Sequence, residues 1–250
     1  MKNNILEKIS FFTKKNYKSL RSSVFLSIYG KIVISKKPPK TKFRLLNNKS
    51  YKDFSKYKYK FFEISDGRVF TDNIENVSII SNNTLLDKFS YQQIKGKLVN
   101  SKRNQVIKTG TPKFIRKINK DIAILAQGAS GYNNYAHFLF DIIPKIKLFS
   151  LAINLRKINY FYFSKLNKYQ RDIFRIIGIN QKKIIDSNKY RYLQCKKIYG
   201  VTHPNYFKGT FSYAQSRMPP WIVYYLKKKF LKYKKSTYKF KKVFIDRSDS

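Results

Sequence analysis

The sequence predicts an α/β domain with a mostly parallel sheet, preceded by an antiparallel β-rich lead-in. Three observations carry this. After Asp121, short runs of β-formers alternate with runs of helical period, the pattern of βαβ units. Before it, Asp66-Gly67 and Asn82-Asn83 each separate two runs rich in β-formers, a hairpin signal. The chain is 250 residues long and 42% hydrophobic, with 17% aromatics, enough to fill a core.

The first fifty or so residues mix basic and apolar positions around the breaker "SKKPPK" (Ser35 to Lys40), and read as short helix or strand pieces with a linker. The stretches "YKFFEISDGRVFTD" and "NVSIISNNTLLDKFS" then predict a small antiparallel sheet. Downstream, "DIAILAQ" reads as strand, "NYAHFLFDI" as helix, "INYFYFS" as strand and "KYQRDIFRIIGI" as helix. "KKIID" and "YLQCKKIYGV" follow as strands, and "PPWIVYYLKKKFLKY" as a helix with Pro219 and Pro220 at its start. "KKVFIDRSDS" begins a further strand. The expected organisation is a basic segment over 1–56, an α/β domain over 57–235, and the first strand of another domain over 236–250.

The formal charge is +41, from 54 Lys+Arg against 13 Asp+Glu. Such a balance points to nucleic acid or an anionic membrane surface. Lys, Asn, Ile, Tyr and Phe all have AT-rich codons, however, and their joint over-use accounts for part of the excess. The N-terminus interrupts its apolar residues with Lys and Asn and lacks a signal-peptide core, which predicts a cytoplasmic protein. One cysteine, Cys195, excludes an internal disulfide and reads as a core thiol. Two histidines far apart, with sparse carboxylates, offer no metal-ligand cluster.

Chemistry concentrates in "ILAQGASGYNNYAHFLFDIIPKIKLF", Ile124 to Phe149. A strand ends at Gln127, a glycine-rich loop follows, and Asn133 or Asn134 caps a helix carrying His137 and Asp141 one turn apart. That loop falls at the carboxyl end of a parallel strand, where α/β sheets bind ligands. Pro144 removes a backbone donor and crowds the carbonyl of Phe140, predicting a kink or break. His137 and Asp141 form either an ordinary i, i+4 surface pair or a general base with its orienting carboxylate. Asp141 favours the charged imidazole and the helix N-terminus opposes it. Ser130 does not make a nucleophile elbow, because Tyr132 stands where the second glycine of Gly-x-Ser-x-Gly belongs. Walker-type and complete Gly-x-Gly-x-x-Gly loops are also lacking. His203, in "GVTHPNY", follows a strand and reads either as a cleft residue or as a loop histidine. Arg247, after the apolar run Val243 to Ile245, suits bidentate phosphate contact or is one surface arginine among many.

"GYNNYAHFLFDIIPKIKLF" resembles the Asn-Tyr-x-His-(x)3-Asp/Glu-(x)2-Pro signature of the glycosyltransferase family 61 domain. "SDGRVFTD", "PPWIVYYLKKKF" and "VFIDRSDS" succeed one another in the order this family shows, so the resemblance spans roughly residues 62–250. It implies a two-Rossmann-domain architecture of the GT-B type and inverting, metal-independent transfer from a nucleotide sugar, with no cofactor. The acceptor would be a glycan or lipid-linked glycan of a surface polysaccharide, capsular or lipopolysaccharide, met at the cytoplasmic face of an anionic membrane. It implies His137 and Asp141 as catalytic residues, Gly131, Asn134 and His203 as cleft residues of the acceptor-side domain, and Arg247 as a donor-phosphate ligand. The family's later Arg- and Asn-Glu-containing motifs are not present, so this polypeptide alone is expected to lack transferase activity and nucleotide-sugar affinity. Two other readings stand beside it: a basic nucleic-acid-binding protein and a non-catalytic glycan-binding remnant.

Overall fold

A computed structural model describes residues 2–35, 38–72, 76–94, 97–99, 104–127, 134–205 and 218–231. The lead-in comprises helix α1 (Lys2–Tyr29), strands β1 (Val33–Ser35), β2 (Thr41–Leu45), β3 (Lys60–Ser65), β4 (Arg68–Thr71), β5 (Val77–Ser81), β6 (Thr84–Leu86), β7 (Gln92–Ile94) and β8 (Lys97–Val99), and the short helix α2 (Val106–Thr109). The α/β part runs β9 (Arg116–Ile124), α3 (Tyr135–His137), a π-turn (Phe138–Ile142), α4 (Ile143–Ala152), β10 (Tyr160–Phe163), α5 (Lys168–Ile177), β11 (Ile184–Asp186), β12 (Tyr192–Val201) and α6 (Pro220–Phe230). The terminal strand expected from Lys241 lies outside the described residues.

Ten strands form one sheet in the order β1-β6-β5-β4-β12-β9-β10-β11, with β3 paired to β12 and β2 to β3; β7 and β8 form a separate pair. The α/β half is parallel throughout: β12 with β9, β9 with β10, and β10 with β11. The lead-in is not a separate sheet. Strand β12 joins the halves, pairing parallel with β9 on one side and antiparallel with β3 and β4 on the other. Strands β1 and β2 also belong to this sheet, so the boundary expected at 56/57 does not divide it.

Asp66-Gly67 is not the hairpin the sequence predicts. Ser65 lies opposite Lys197 and Arg68 opposite Gln194, so β3 and β4 run end to end along β12 in one register. Asp66 takes a left-handed backbone (φ 54°) that kinks this line. Its N–H donates to the Lys196 carbonyl, and Cys195 N–H donates to the Gly67 carbonyl, so pairing continues through the kink. A Cβ on Gly67 would lie 2.9 Å from Ile64 Cγ2 and 3.1 Å from Ile198 Cδ1, so glycine permits this close packing. Asn82-Asn83 does make the expected tight turn: both have positive φ, and Ser81 pairs with Thr84 across a two-residue loop.

Strand alternation sorts side chains into two cores. Ala123, Leu125, Phe161, Phe163, Tyr199 and Val201 face a cluster that α4, α5 and α6 complete with Ile146, Phe149, Phe174 and Trp221. Ile122, Ile124, Tyr162 and Ile198 face the opposite cluster, to which no α-helix among the described residues contributes a buried side chain. The described helices of the α/β half therefore cover one sheet face. Cys195 lies in the second cluster, and burial pushes its thiol up to about 12, the condition of an inert core cysteine.

Candidate functional site

The site lies where strand order reverses. From β9 the chain moves outward to β10 and β11, then returns to place β12 on the other side of β9. The segments leaving the carboxyl ends of β9 and β12 thus flank a switch in topology, the position at which open α/β sheets gather ligands. His137 follows β9 and His203 follows β12.

Asn134 caps the helix through Oδ1, which accepts from His137 N–H at 3.0 Å. Its side-chain oxygen is thereby committed to the helix end, and the residue is exposed. One turn on, His137 Nδ1 lies 2.7 Å from Asp141 Oδ2. The expected interruption at Pro144 takes the form of a π-turn: Ile143 N–H reaches back to the Phe138 carbonyl, and α4 starts with Pro144 in its first turn. The i→i+5 bond accommodates the missing proline donor without ending the helix, and π-turns recur at functional sites for this kind of local adjustment.

The pair is asymmetric in burial: the His137 side chain is 22% exposed and that of Asp141 only 3%. The hydrogen bond that His137 donates to Asp141 raises its pKa above the ordinary range despite partial burial. Burial raises Asp141 too, opposed by His137 and the Lys145 charge. With Asp141 accepting at Nδ1, neutral His137 has its basic lone pair on Nε2. This is the tautomer that a general base needs, and the carboxylate stabilises the imidazolium formed when it takes a proton.

Two further buried groups join them. Lys145, one helical turn beyond Asp141, is 3% exposed and donates from Nζ to the Leu125 carbonyl at 3.1 Å. His203 accepts at Nδ1 from Asn205 N–H at 3.0 Å, so its Nε2 carries the proton in the neutral form. Burial, then the charges of Lys145 and His137, hold its pKa well below the usual histidine range. The two histidines therefore have opposite characters: His137 is poised to accept a proton, and His203 stays neutral as an N–H donor. Lys145 has no signature among so many lysines except its spacing, four residues beyond Asp141.

The same edge holds buried polar atoms with no hydrogen-bond partner among the described residues: Ser164 Oγ after β10, Tyr169 OH in the first turn of α5, and Asn205 Oδ1 after β12. Buried polar groups are ordinarily paired, and none of these three is signalled by a sequence motif. Tyr169 packs edge-on against Tyr135 and Phe138 at 5.1 and 5.8 Å, which places its ring beside the His137 helix. Gly131 and Arg247 lie outside the described residues, as do Ser130 and the rest of the glycine loop.

The depressed His203 pKa has a measurable consequence. Below its ordinary value of 6.5, the unfolded chain binds a proton that the folded chain refuses, so stability falls as pH drops from 6.5 towards the lower folded pKa. His137, raised, acts with the opposite sign: its contribution is complete below 6.5 and is lost as pH rises through its folded pKa. Urea unfolding of His203→Asn, which keeps an acceptor for Asn205 N–H, is expected to lose the acid-side decline below 6.5. An unchanged pH profile would remove buried His203 as its source.

No family model, curated protein or solved structure matches the chain.

Proposed function

We propose that this chain carries the acceptor site of a glycosyltransferase that moves a sugar from a nucleotide sugar to a hydroxyl of a glycan or lipid-linked acceptor. The setting is surface-polysaccharide biosynthesis at the cytoplasmic face of the membrane. The observation that carries the reading is the 2.7 Å His137–Asp141 pair at the carboxyl edge, within the segment that resembles the family signature. Nε2 of His137 takes the acceptor proton as the oxygen bonds to the anomeric carbon. The bond from that carbon to the nucleoside diphosphate breaks, and the diphosphate leaves with the electron pair. Asp141 holds the imidazole in the required tautomer, and His203 Nε2–H offers a neutral donor to a substrate oxygen. Inversion at the anomeric carbon, independence of metal, and phosphate binding by Arg247 follow from the resemblance.

The reading separates acceptor from donor. Calorimetry with oligosaccharide acceptors and a panel of nucleotide sugars is expected to give saturable acceptor binding without micromolar donor affinity. Micromolar nucleotide-sugar binding would move the donor site into this domain, and binding to nucleic acid alone would replace the assignment.

A further inference from the structure

Helix α1 presents one face to the body and another away from it. Phe25 is buried, stacking on Tyr29 at 5.9 Å and meeting Phe114 edge-on at 5.0 Å, while Leu26 packs against Gly110. Tyr29 meets Tyr192 edge-on at 5.7 Å, and its carbonyl accepts from Asn83 Nδ2 at 2.7 Å. These contacts fix the inward face. The opposite face carries Tyr17, Leu20, Val24 and Ile28 at helical spacing, exposed by 65%, 68%, 48% and 52%. Scattered apolar residues on a surface need no explanation, but four in register along one outward stripe form a patch.

The surroundings of the stripe are cationic. Lys14 and Lys18 are exposed on the same helix, and Lys31 is exposed just beyond its end. Over its length α1 carries six Lys or Arg residues and the single acid Glu7. Among the described residues no helix is long and apolar enough to cross a membrane, so this helix does not span one. An apolar stripe with lysines beside it suits the interface of a bilayer, where apolar side chains enter the acyl boundary and cations meet anionic headgroups.

We infer that the outward face of α1 docks on an anionic lipid bilayer, with Leu20, Val24 and Ile28 inserted and Lys14, Lys18 and Lys31 at the headgroups. A second copy of the chain fits less well. Stripe-to-stripe pairing would bring like-charged lysines together on chains whose formal charge is +41. Nucleic acid also fits less well, because three of the four stripe residues are aliphatic and offer no ring for base stacking. The inference does not depend on the glycosyl-transfer reading.

The test is flotation of the full chain with phosphatidylcholine vesicles, with and without phosphatidylglycerol, at near-physiological salt. Co-flotation is expected only with phosphatidylglycerol and should weaken as salt screens the charges over about 8 Å. The variant Leu20→Glu, Val24→Glu, Ile28→Glu is expected to bind about tenfold more weakly or less, with its melting curve unchanged. If that variant does not fold, Leu20→Glu alone serves, with a smaller loss in the same direction. Binding equal to wild type in a folded stripe variant would overturn the proposal. So would binding to neutral vesicles alone, no binding to either vesicle, or sedimentation showing that the stripe substitutions dissociate a dimer.

Discussion

His137→Ala is expected to lower the turnover of glycosyl transfer by about a hundred- to ten-thousand-fold, the usual cost of losing a general base. The measurement belongs to the two-domain enzyme that the family resemblance implies, because that resemblance assigns donor binding to the second domain. The substitution also leaves the buried Asp141 carboxylate without its 2.7 Å partner, so a folding cost is expected and is measured separately by denaturation. Asp141→Asn is expected to act in the same direction through the tautomer. An amide nitrogen facing Nδ1 favours the form protonated on Nε2 and removes the lone pair that must accept the proton. It also exchanges a buried carboxylate for a neutral group, so its folding cost is read separately by denaturation. Turnover in His137→Ala within a few-fold of wild type would remove the base assignment.

Trp221→Ala is expected to cost about 3–5 kcal/mol of stability, as for other buried aromatic truncations. Trp221, in the first turn of α6, is 1% exposed, and its ring meets Phe54 and Tyr59 at 5.4 and 5.6 Å. Its Nε1–H donates to Tyr59 OH at 2.9 Å, and that hydroxyl donates to the Pro204 carbonyl at 2.6 Å. The indole therefore ties three distant pieces together: α6, the approach to β3, and the segment carrying His203. Trp221→Phe keeps most of the apolar volume and loses one hydrogen bond, with an expected cost nearer 1 kcal/mol. Urea unfolding followed by circular dichroism distinguishes the two. Similar losses in both variants would mean that the hydrogen-bond relay, rather than ring packing, dominates.

Local chemistry in the sequence identifies the elements whose signals are self-contained. Helix α5 begins with a capping box in which Asn167 and Gln170 bond reciprocally, and ends at Gly178 in the left-handed region (φ 85°). Pro219 and Pro220 mark the start of α6, and Asn82-Asn83 supplies the positive φ values of a tight turn. Asp66-Gly67 misleads because a left-handed residue serves a hairpin and a kinked strand equally well. The deciding partner is β12, far along the chain, which aligns β3 and β4 on a single edge.

Helix α1 is a single 28-residue helix where the sequence reads as short helix or strand pieces. Lysines and asparagines interrupt its apolar period, yet no Pro or Gly stands between Lys2 and Tyr29, and the helix runs until Gly30 (φ 77°). At the site, His137 and Asp141 are legible from scarcity and i, i+4 spacing. Lys145 is hidden by composition, and the approach of His203 depends on the return of β12 to the side of β9. The buried atoms of Ser164, Tyr169 and Asn205 become meaningful only once the strand ends are assembled.

The central claim is that His137, oriented by Asp141, is the proton acceptor of an acceptor-sugar site. Nitrogen-15 NMR of the two imidazoles, followed against pH and then with added oligosaccharide acceptor, tests it most directly. The expected spectrum shows neutral His137 protonated on Nδ1 and titrating above 6.5, and neutral His203 protonated on Nε2 and titrating well below it. Acceptor should shift His137 Nε2. Neutral His137 protonated on Nε2, or an imidazole signal indifferent to every glycan acceptor, would contradict the account.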